Sequence, residues 1–256
     1  ESMFKYVSDP IITSMNPEMG PVTGGTMVSL AGSNFLDNDS LMCVFGDARV
    51  EGRFVSSTEI ECISPEHGAG DVLISVSTNG EDFIGSRVPF VYYEEVEISS
   101  FSPESGVVLG GTPVVVRGSN FALSKSLSCR FGSVAVAARY VNSTAVACYS
   151  PPGESGAVSL SVSRNGVDYA ASSGSMLYIY MESLEVVDIS PRTGSVSGGT
   201  AVTVSGRGFS SSMDIWCSFG GVGLSEAVID SENKLVCASP RSMNGTGERS
   251  LQLTSN

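Results

Sequence analysis

Pro17-Glu18-Met19-Gly20-Pro21-Val22-Thr23-Gly24-Gly25-Thr26 runs into the alternating stretch Met27-Val28-Ser29-Leu30, and the same phrase returns at Pro103 to Thr112 and Pro191 to Thr200. The three prolines stand 86 and then 88 residues apart. Each copy then reaches a Cys-x-Phe-Gly 26 residues after its proline, at Cys43, Cys129 and Cys217. A Cys-x-Ser-Pro follows 19, 19 and 20 residues later, at Cys62, Cys148 and Cys237. A period this long is a whole domain, unlike the roughly 20–50-residue unit of a solenoid. The 256 residues therefore hold three small modules in tandem, each of ordinary domain size.

Outward from the quoted phrase, period-two alternation dominates, which is the pattern of half-buried strands. Val114-Val115-Val116 and Val202-Thr203-Val204 follow Gly-Gly-Thr in the second and third copies, and β-branched residues suit a pleated surface. The next strand begins at the first cysteine and puts that cysteine and a phenylalanine two apart, on one face. A weaker strand (Ala48 to Phe54; Val134 to Tyr140) precedes the strand of the second cysteine. Val72, Ile74 and Val76 alternate, as do Val158, Leu160 and Val162. Both runs meet an Asn-Gly (Asn79-Gly80; Asn165-Gly166), a pair that favours a type I′ hairpin turn. The last strand is Phe90-Val91-Tyr92 or Tyr178-Ile179-Tyr180. About seven short strands per copy describe an all-β, immunoglobulin-like sandwich. The antibody-type bridge between second and sixth strands is not the one offered here: the cysteines fall at the third and about the fifth strand, and the single tryptophan is Trp216.

The phrases Pro-x-x-Gly-x-x-x-Gly-Gly-Thr (Pro17 to Thr26), Gly-x-x-Phe (Gly32 to Phe35), Cys-x-Phe-Gly (Cys43 to Gly46), Cys-x-Ser-Pro (Cys62 to Pro65) and Asn-Gly-x-x-Phe/Tyr (Asn79 to Phe83) closely resemble the IPT/TIG domain family. The resemblance covers essentially the whole chain, three times over. It implies early-set immunoglobulin-like sandwiches and a role as spacer or interaction module, as in plexin- and Met-type receptor ectodomains and large surface proteins. The copies are read as residues 8–93, 94–181 and 182–256, the third short of its last strand. Residues 1–7 are read as the last strand of a preceding repeat, because Phe4 and Tyr6 stand 13 and 11 residues before Pro17, as Phe90 and Tyr92 do before Pro103. A strand donated between molecules is the rarer alternative.

One cysteine pair per copy at matched positions favours an intra-repeat disulfide over buried free thiols, and with it an oxidising compartment. One histidine, His67, and no Cys-x-x-Cys argue against zinc. A formal net charge of −13, with only Lys5, Lys125 and Lys234 as lysines, disfavours nucleic acid. Charged residues make up 16%, below the roughly 25% usual in soluble domains. No apolar run of about 18 residues is present, so no membrane insertion is expected in this segment.

No catalytic residue and no cofactor is expected. His67 sits in a Gly-rich turn without a recurring partner, and the paired carboxylates (Asp37 and Asp39, Glu81 and Asp82, Glu94 and Glu95) fall on loops or linkers. The Gly-Gly-Thr loops lack the lysine of a phosphate loop and read as a glycine bulge entering the second strand. Calcium at the first joint, on Glu94, Glu95 and Glu97, is weighed and set aside, because the second joint offers Glu182, Glu185 and Asp188 at other offsets, so no metal site is assigned. Glycosylation sequons stand at Asn38, Asn142 and Asn244. Short joints (Tyr93 to Val96; Met181 to Leu184) without Gly/Ser tethers predict abutting domains, with Tyr92, Tyr93 and Tyr180 as candidates to pack in the joints. At ~3.3 Å per residue the array would be a rod of roughly 110 Å. The expected function is a non-enzymatic extracellular structural or adhesion module, part of a filamentous surface or secreted glycoprotein, with protein partners and self-assembly as its interactions. The alternatives are a plexin- or Met-like receptor stalk and an accessory region of a secreted carbohydrate-active enzyme.

Overall fold

A computed structural model describes residues 6–172, 176–209, 214–243 and 245–255, and residues 1–5 of the expected leading strand lie outside them. Two compact units are present. One comprises residues 1–104, 112–151 and 158–178, and the other residues 105–111, 152–157 and 179–256. Strands and loops account for all described residues, with no helix among them.

The first unit opens with β1 (Ile11–Asn16), β2 (Met19–Pro21), β3 (Met27–Ser33), β4 (Met42–Phe45), β5 (Ala48–Ser56), β6 (Glu59–Ile63), β7 (Gly70–Val72), β8 (Ile74–Ser77), β9 (Ile84–Gly85) and β10 (Phe90–Tyr93). Strands β1, β3 and β6 form one sheet and β4, β8 and β9 the other. The long β5 serves both: Ala48 to Glu51 pair with β4, and Gly52 to Ser56 with β6. Val28, Leu30, Phe45, Ile60, Ile74, Val76 and Phe90 are buried between the sheets. The alternation read from the sequence thus points its apolar half inward. Tyr92 belongs to this core, its ring edge-on to Phe90 at 5.0 Å and its hydroxyl donating to the Pro65 carbonyl at 3.0 Å. Its expected place in a joint is therefore corrected.

The same unit continues with β11 (Glu97–Ser102), then β12 (Ser105–Val107) of the other unit, β13 (Pro113–Ser119), β14 (Ser128–Phe131), β15 (Val134–Ala137), β16 (Arg139–Asn142), β17 (Ala145–Tyr149), β18 (Gly156–Ser163), β19 (Ala170–Ala171) and β20 (Leu177–Met181). Here β11, β13, β17 and β16 make one sheet, while β14 lies between β15 and β18. In the second unit β12 runs parallel to the end of β20, as β2 runs parallel to β10 in the first. These short parallel pairs, which alternation alone did not reveal, split the first strand of the first and second repeats at its proline. The second unit adds β21 (Glu185–Ser190), β22 (Ala201–Arg207), β23 (Ile215–Phe219), β24 (Gly223–Ser231), β25 (Lys234–Ala238) and β26 (Leu251–Ser255), in the order β21-β22-β25-β24-β23-β26. A groove of about 570 Å³ lies between the 191–196 segment and Gly247 to Leu251.

Two motifs acquire a structural reason. The threonine of each Gly-Gly-Thr and the serine of each Cys-x-Ser-Pro hold each other: Thr26 N–H donates to Ser64 Oγ at 3.1 Å, and Ser64 N–H to the Thr26 carbonyl at 2.8 Å. Thr112 with Ser150 and Thr200 with Ser239 repeat the pair. Gly24 and Gly25 adopt φ of 73° and 81° in the turn before β3, so the expected glycine bulge entering the strand is instead a turn ahead of it. A Cβ on Gly24 would lie 2.5 Å from the Pro65 backbone. The register shift in this region falls in β1, between Ile12 and Ser14. Gly32, Gly118 and Gly206 share another cause: a Cβ on any of them would meet the carbonyl oxygen of Ile11, Glu97 or Glu185 within 2 Å.

Candidate functional site

The six cysteines pair within their repeats: Cys43 with Cys62, Cys129 with Cys148, and Cys217 with Cys237, at Cα separations of 6.4, 6.4 and 6.3 Å. In the first repeat the bridge ties β4 to β6 beside the strand that passes from one sheet to the other.

The remaining chemistry concentrates where the first repeat meets the second, inside the first unit. The turn after β18 is built by its own side chains. Ser163 Oγ donates to Asn165 Oδ1 at 3.0 Å and accepts from Gly166 N–H at 2.8 Å. Asn165 Oδ1 also accepts from the N–H groups of Val167 and Asp168, and Asn165 Nδ2 donates to Asp168 Oδ2 at 2.6 Å. Only Gly166 takes positive φ, at 80°. A type I′ turn needs φ above zero at both central residues, so the expected hairpin stands, as β18 with β19, but its type I′ turn is corrected to an Asx-type turn whose asparagine side chain replaces backbone bonds.

This turn seats on the first repeat. Asn165 Nδ2 donates to the Met19 carbonyl at 2.9 Å, and Thr26 Oγ1 donates to Asp168 Oδ2 at 2.7 Å. Thr26 is fully buried and Asn165 nearly so. A buried polar group left unpaired costs about 1–3 kcal/mol, so these reciprocal bonds fix one placement. Beside them the Arg164 guanidinium lies 4.1 Å from the centre of the Tyr93 ring, a cation–π contact strengthened by partial burial. Burial pushes the Tyr93 phenol well above its ordinary value, Asp168 and Glu95 add to the rise, and Arg164 opposes it. Burial lowers the Arg164 value, with Tyr93 acting in the other direction. The linker is held from both sides: Thr23 Oγ1 donates to Glu95 Oε1 at 2.6 Å, and Asn120 Nδ2 to the Glu95 carbonyl at 2.7 Å. Val96 is buried next to it. Tyr93 thus occupies the joint as expected of it, and Tyr180 is buried in the second unit against Gly153, where a Cβ would lie 2.9 Å from its ring.

The other candidates are placed as follows. Asn142 is exposed at the end of β16, with its Oδ1 accepting from both the N–H and the hydroxyl of Thr144, at 2.9 Å each. Asn38 is exposed too, but its Nδ2 donates to the Thr78 carbonyl at 2.9 Å. Asn244 lies outside the described residues. His67 stacks on Tyr92 with ring centres 4.9 Å apart. Glu97 accepts from Ser119 Oγ at 3.2 Å, and exposed Asp188 pairs with Arg192 at 2.6 Å, which holds the carboxyl below its usual range. The residues that sequence reasoning passed over are Thr26, Asn120, Arg164 and Asp168. The available signal was Ser-x-Asn-Gly-x-Asp, present at both 77–82 and 163–168.

The IPT/TIG domain model matches residues 10–92, 97–180 and 184–256. This chain belongs to the IPT/TIG domain family. It is 29% identical to human fibrocystin-L over 212 residues, 81% of this chain and 5% of that protein. It is 30% identical to human plexin-A2 over 149 residues, 56% of this chain and 8% of that one. Among solved structures, the full extracellular region of plexin A4 aligns over 96% of this chain and 23% of its own length, at 18% identity and a TM-score of 0.48. The chain therefore spans 5% and 8% of the length of these two curated relatives. Disulfides persist in oxidising environments, and together with the fibrocystin-L and plexin-A2 matches the three bridges mark an extracellular or cell-surface IPT/TIG array. No helix among the described residues is long and apolar enough to cross a membrane.

Proposed function

We propose that this segment is a non-enzymatic structural or adhesion module, a rod-like stretch of a larger cell-surface or secreted glycoprotein that assembles with protein partners, its own copies included. The repeats act as units over 8–93, 94–181 and 182–256. The observation that carries the reading is the buried polar joint at Tyr93, Thr26, Asn165 and Asp168. A catalytic role gains nothing from such a joint, whereas a spacer does, because a fixed joint sets distance. Asn142 is the favoured glycan acceptor, since its sequon hydroxyl already meets the side-chain oxygen and the residue is exposed. Asn38 would carry a glycan at the expense of its bond to Thr78, and Asn244 is a third acceptor. A receptor stalk of plexin type is the second reading, supported by the 27% identity to human plexin-A4 over 210 residues.

Small-angle scattering and 15N relaxation on the intact chain test the spacer. The first and second repeats are expected to tumble as one body, and a six-residue Gly/Ser insert between Glu95 and Val96 is expected to free them. Independent tumbling of the two repeats in the uninterrupted chain would overturn the reading.

A further inference from the structure

The turn after β8 repeats the seated turn bond for bond. Ser77 Oγ donates to Asn79 Oδ1 at 2.9 Å and accepts from Gly80 N–H at 2.9 Å. Asn79 Oδ1 accepts from the N–H groups of Glu81 and Asp82 at 3.0 and 2.9 Å. Asn79 Nδ2 reaches Asp82 Oδ2 at 2.8 Å, and Gly80 has φ 79° against 80° at Gly166. In the second repeat the remaining Nδ2 proton and the second lone pair of Asp168 Oδ2 engage a carbonyl and a threonine hydroxyl. Asn79 and Asp82, by contrast, are exposed, and among the described residues the only side-chain bonds of either are those within the turn.

We infer that the Ser77–Asp82 turn is a preformed plug for another IPT/TIG repeat placed N-terminal to the first. Asn79 would donate to the carbonyl two residues after that repeat's opening proline, and Asp82 would accept from the hydroxyl of its Gly-Gly-Thr. The occupant is specified by chemistry already present in this chain: the plug needs one hydroxyl donor and one carbonyl acceptor at the spacing that Thr26 and Met19 hold. The turn is rigid before docking, so little ordering entropy opposes binding. Position 78 is Thr where position 164 is Arg, so the polar pair is the shared element and the cation–π contact is particular to the first joint. The inference rests on the joint reading above.

The test is an extended chain in which residues 10–95 are placed ahead of Pro10, so that a leading copy offers its own Met19 carbonyl and Thr26 hydroxyl. 15N relaxation should report the leading copy and the first repeat tumbling together. Asn79→Ala with Asp82→Ala in the original repeat should separate their correlation times. Thr26→Val in the leading copy, which leaves the turn untouched, should do the same, and it decides the matter should the double variant unfold. Independent tumbling in the unsubstituted extended chain, or coupling that survives Thr26→Val, would overturn the inference. The joint between the first and second repeats is read in the same spectra. Loss of coupling there as well would sink the spacer reading, while coupling there alone would sink only the plug.

Discussion

The turns at 77–82 and 163–168 share the pattern Ser-x-Asn-Gly-x-Asp, internal hydrogen bonds and backbone, yet Asn79 and Asp82 are exposed, whereas Asn165 is buried and Asp168 half-buried against a neighbouring repeat. The difference teaches that the turn is specified locally and the joint is specified by what faces it. Nothing in Asn165 or Asp168 distinguishes them from Asn79 or Asp82 until Thr26 and the Met19 carbonyl come within reach.

The largest contrast should come from removing the asparagine. Asn165→Ala deletes the turn's acceptor and leaves the Met19 carbonyl without its donor in a buried place, so a loss of about 2–3 kcal/mol is expected. Asn79→Ala deletes the same internal bonds in solvent and should cost about 1 kcal/mol. Urea unfolding of the two variants measures both, and equal losses would break the comparison.

Thr26→Val probes the same joint from the opposite side. It strips Asp168 of one partner and should cost about 1–2 kcal/mol. Thr200→Val is the matched control, because Thr200 is half-exposed and its Oγ1 accepts from Ser195 N–H at 3.3 Å. About half the loss is expected there, and a larger one would deny the joint its special standing.

The smallest effect concerns alkali. Tyr93 and Tyr92 both have phenols raised above the ordinary 10, Tyr92 to about 12 through burial. A group with a raised folded value binds its proton more tightly when folded. Its stabilisation is full below pH 10 and is lost as pH rises through the folded value. Thermal midpoints should therefore hold steady to about pH 10 and fall above it, less steeply in Tyr93→Phe. An unchanged slope in that variant would remove Tyr93 from the joint's energetics.

The sandwich was legible because its signals are periodic: alternation gave the strands, and matched Cys43/Cys62 spacing gave the staple. The parallel β2–β10 pair was not, since three residues after a proline carry no alternation to read. The Asn-Gly pairs misled in type because the preceding serine and following aspartate turn asparagine into a side-chain cap, an outcome that dipeptide preference does not encode. The joint was half visible. Tyr93 could be placed there as an aromatic beside a short linker, whereas Thr26 reads as part of a repeated motif, and its contact with Asp168 spans 142 positions.

The bridge between β4 and β6 also has a mechanical meaning. Each disulfide closes a stretch of 19 or 20 residues. If the array were pulled from its ends until a repeat opened, that stretch could not pay out. At roughly 3.4 Å per extended residue, about 65 Å of contour stays locked in every repeat. An overstretched array would therefore lengthen by roughly a fifth less per opened repeat until its cystines were reduced.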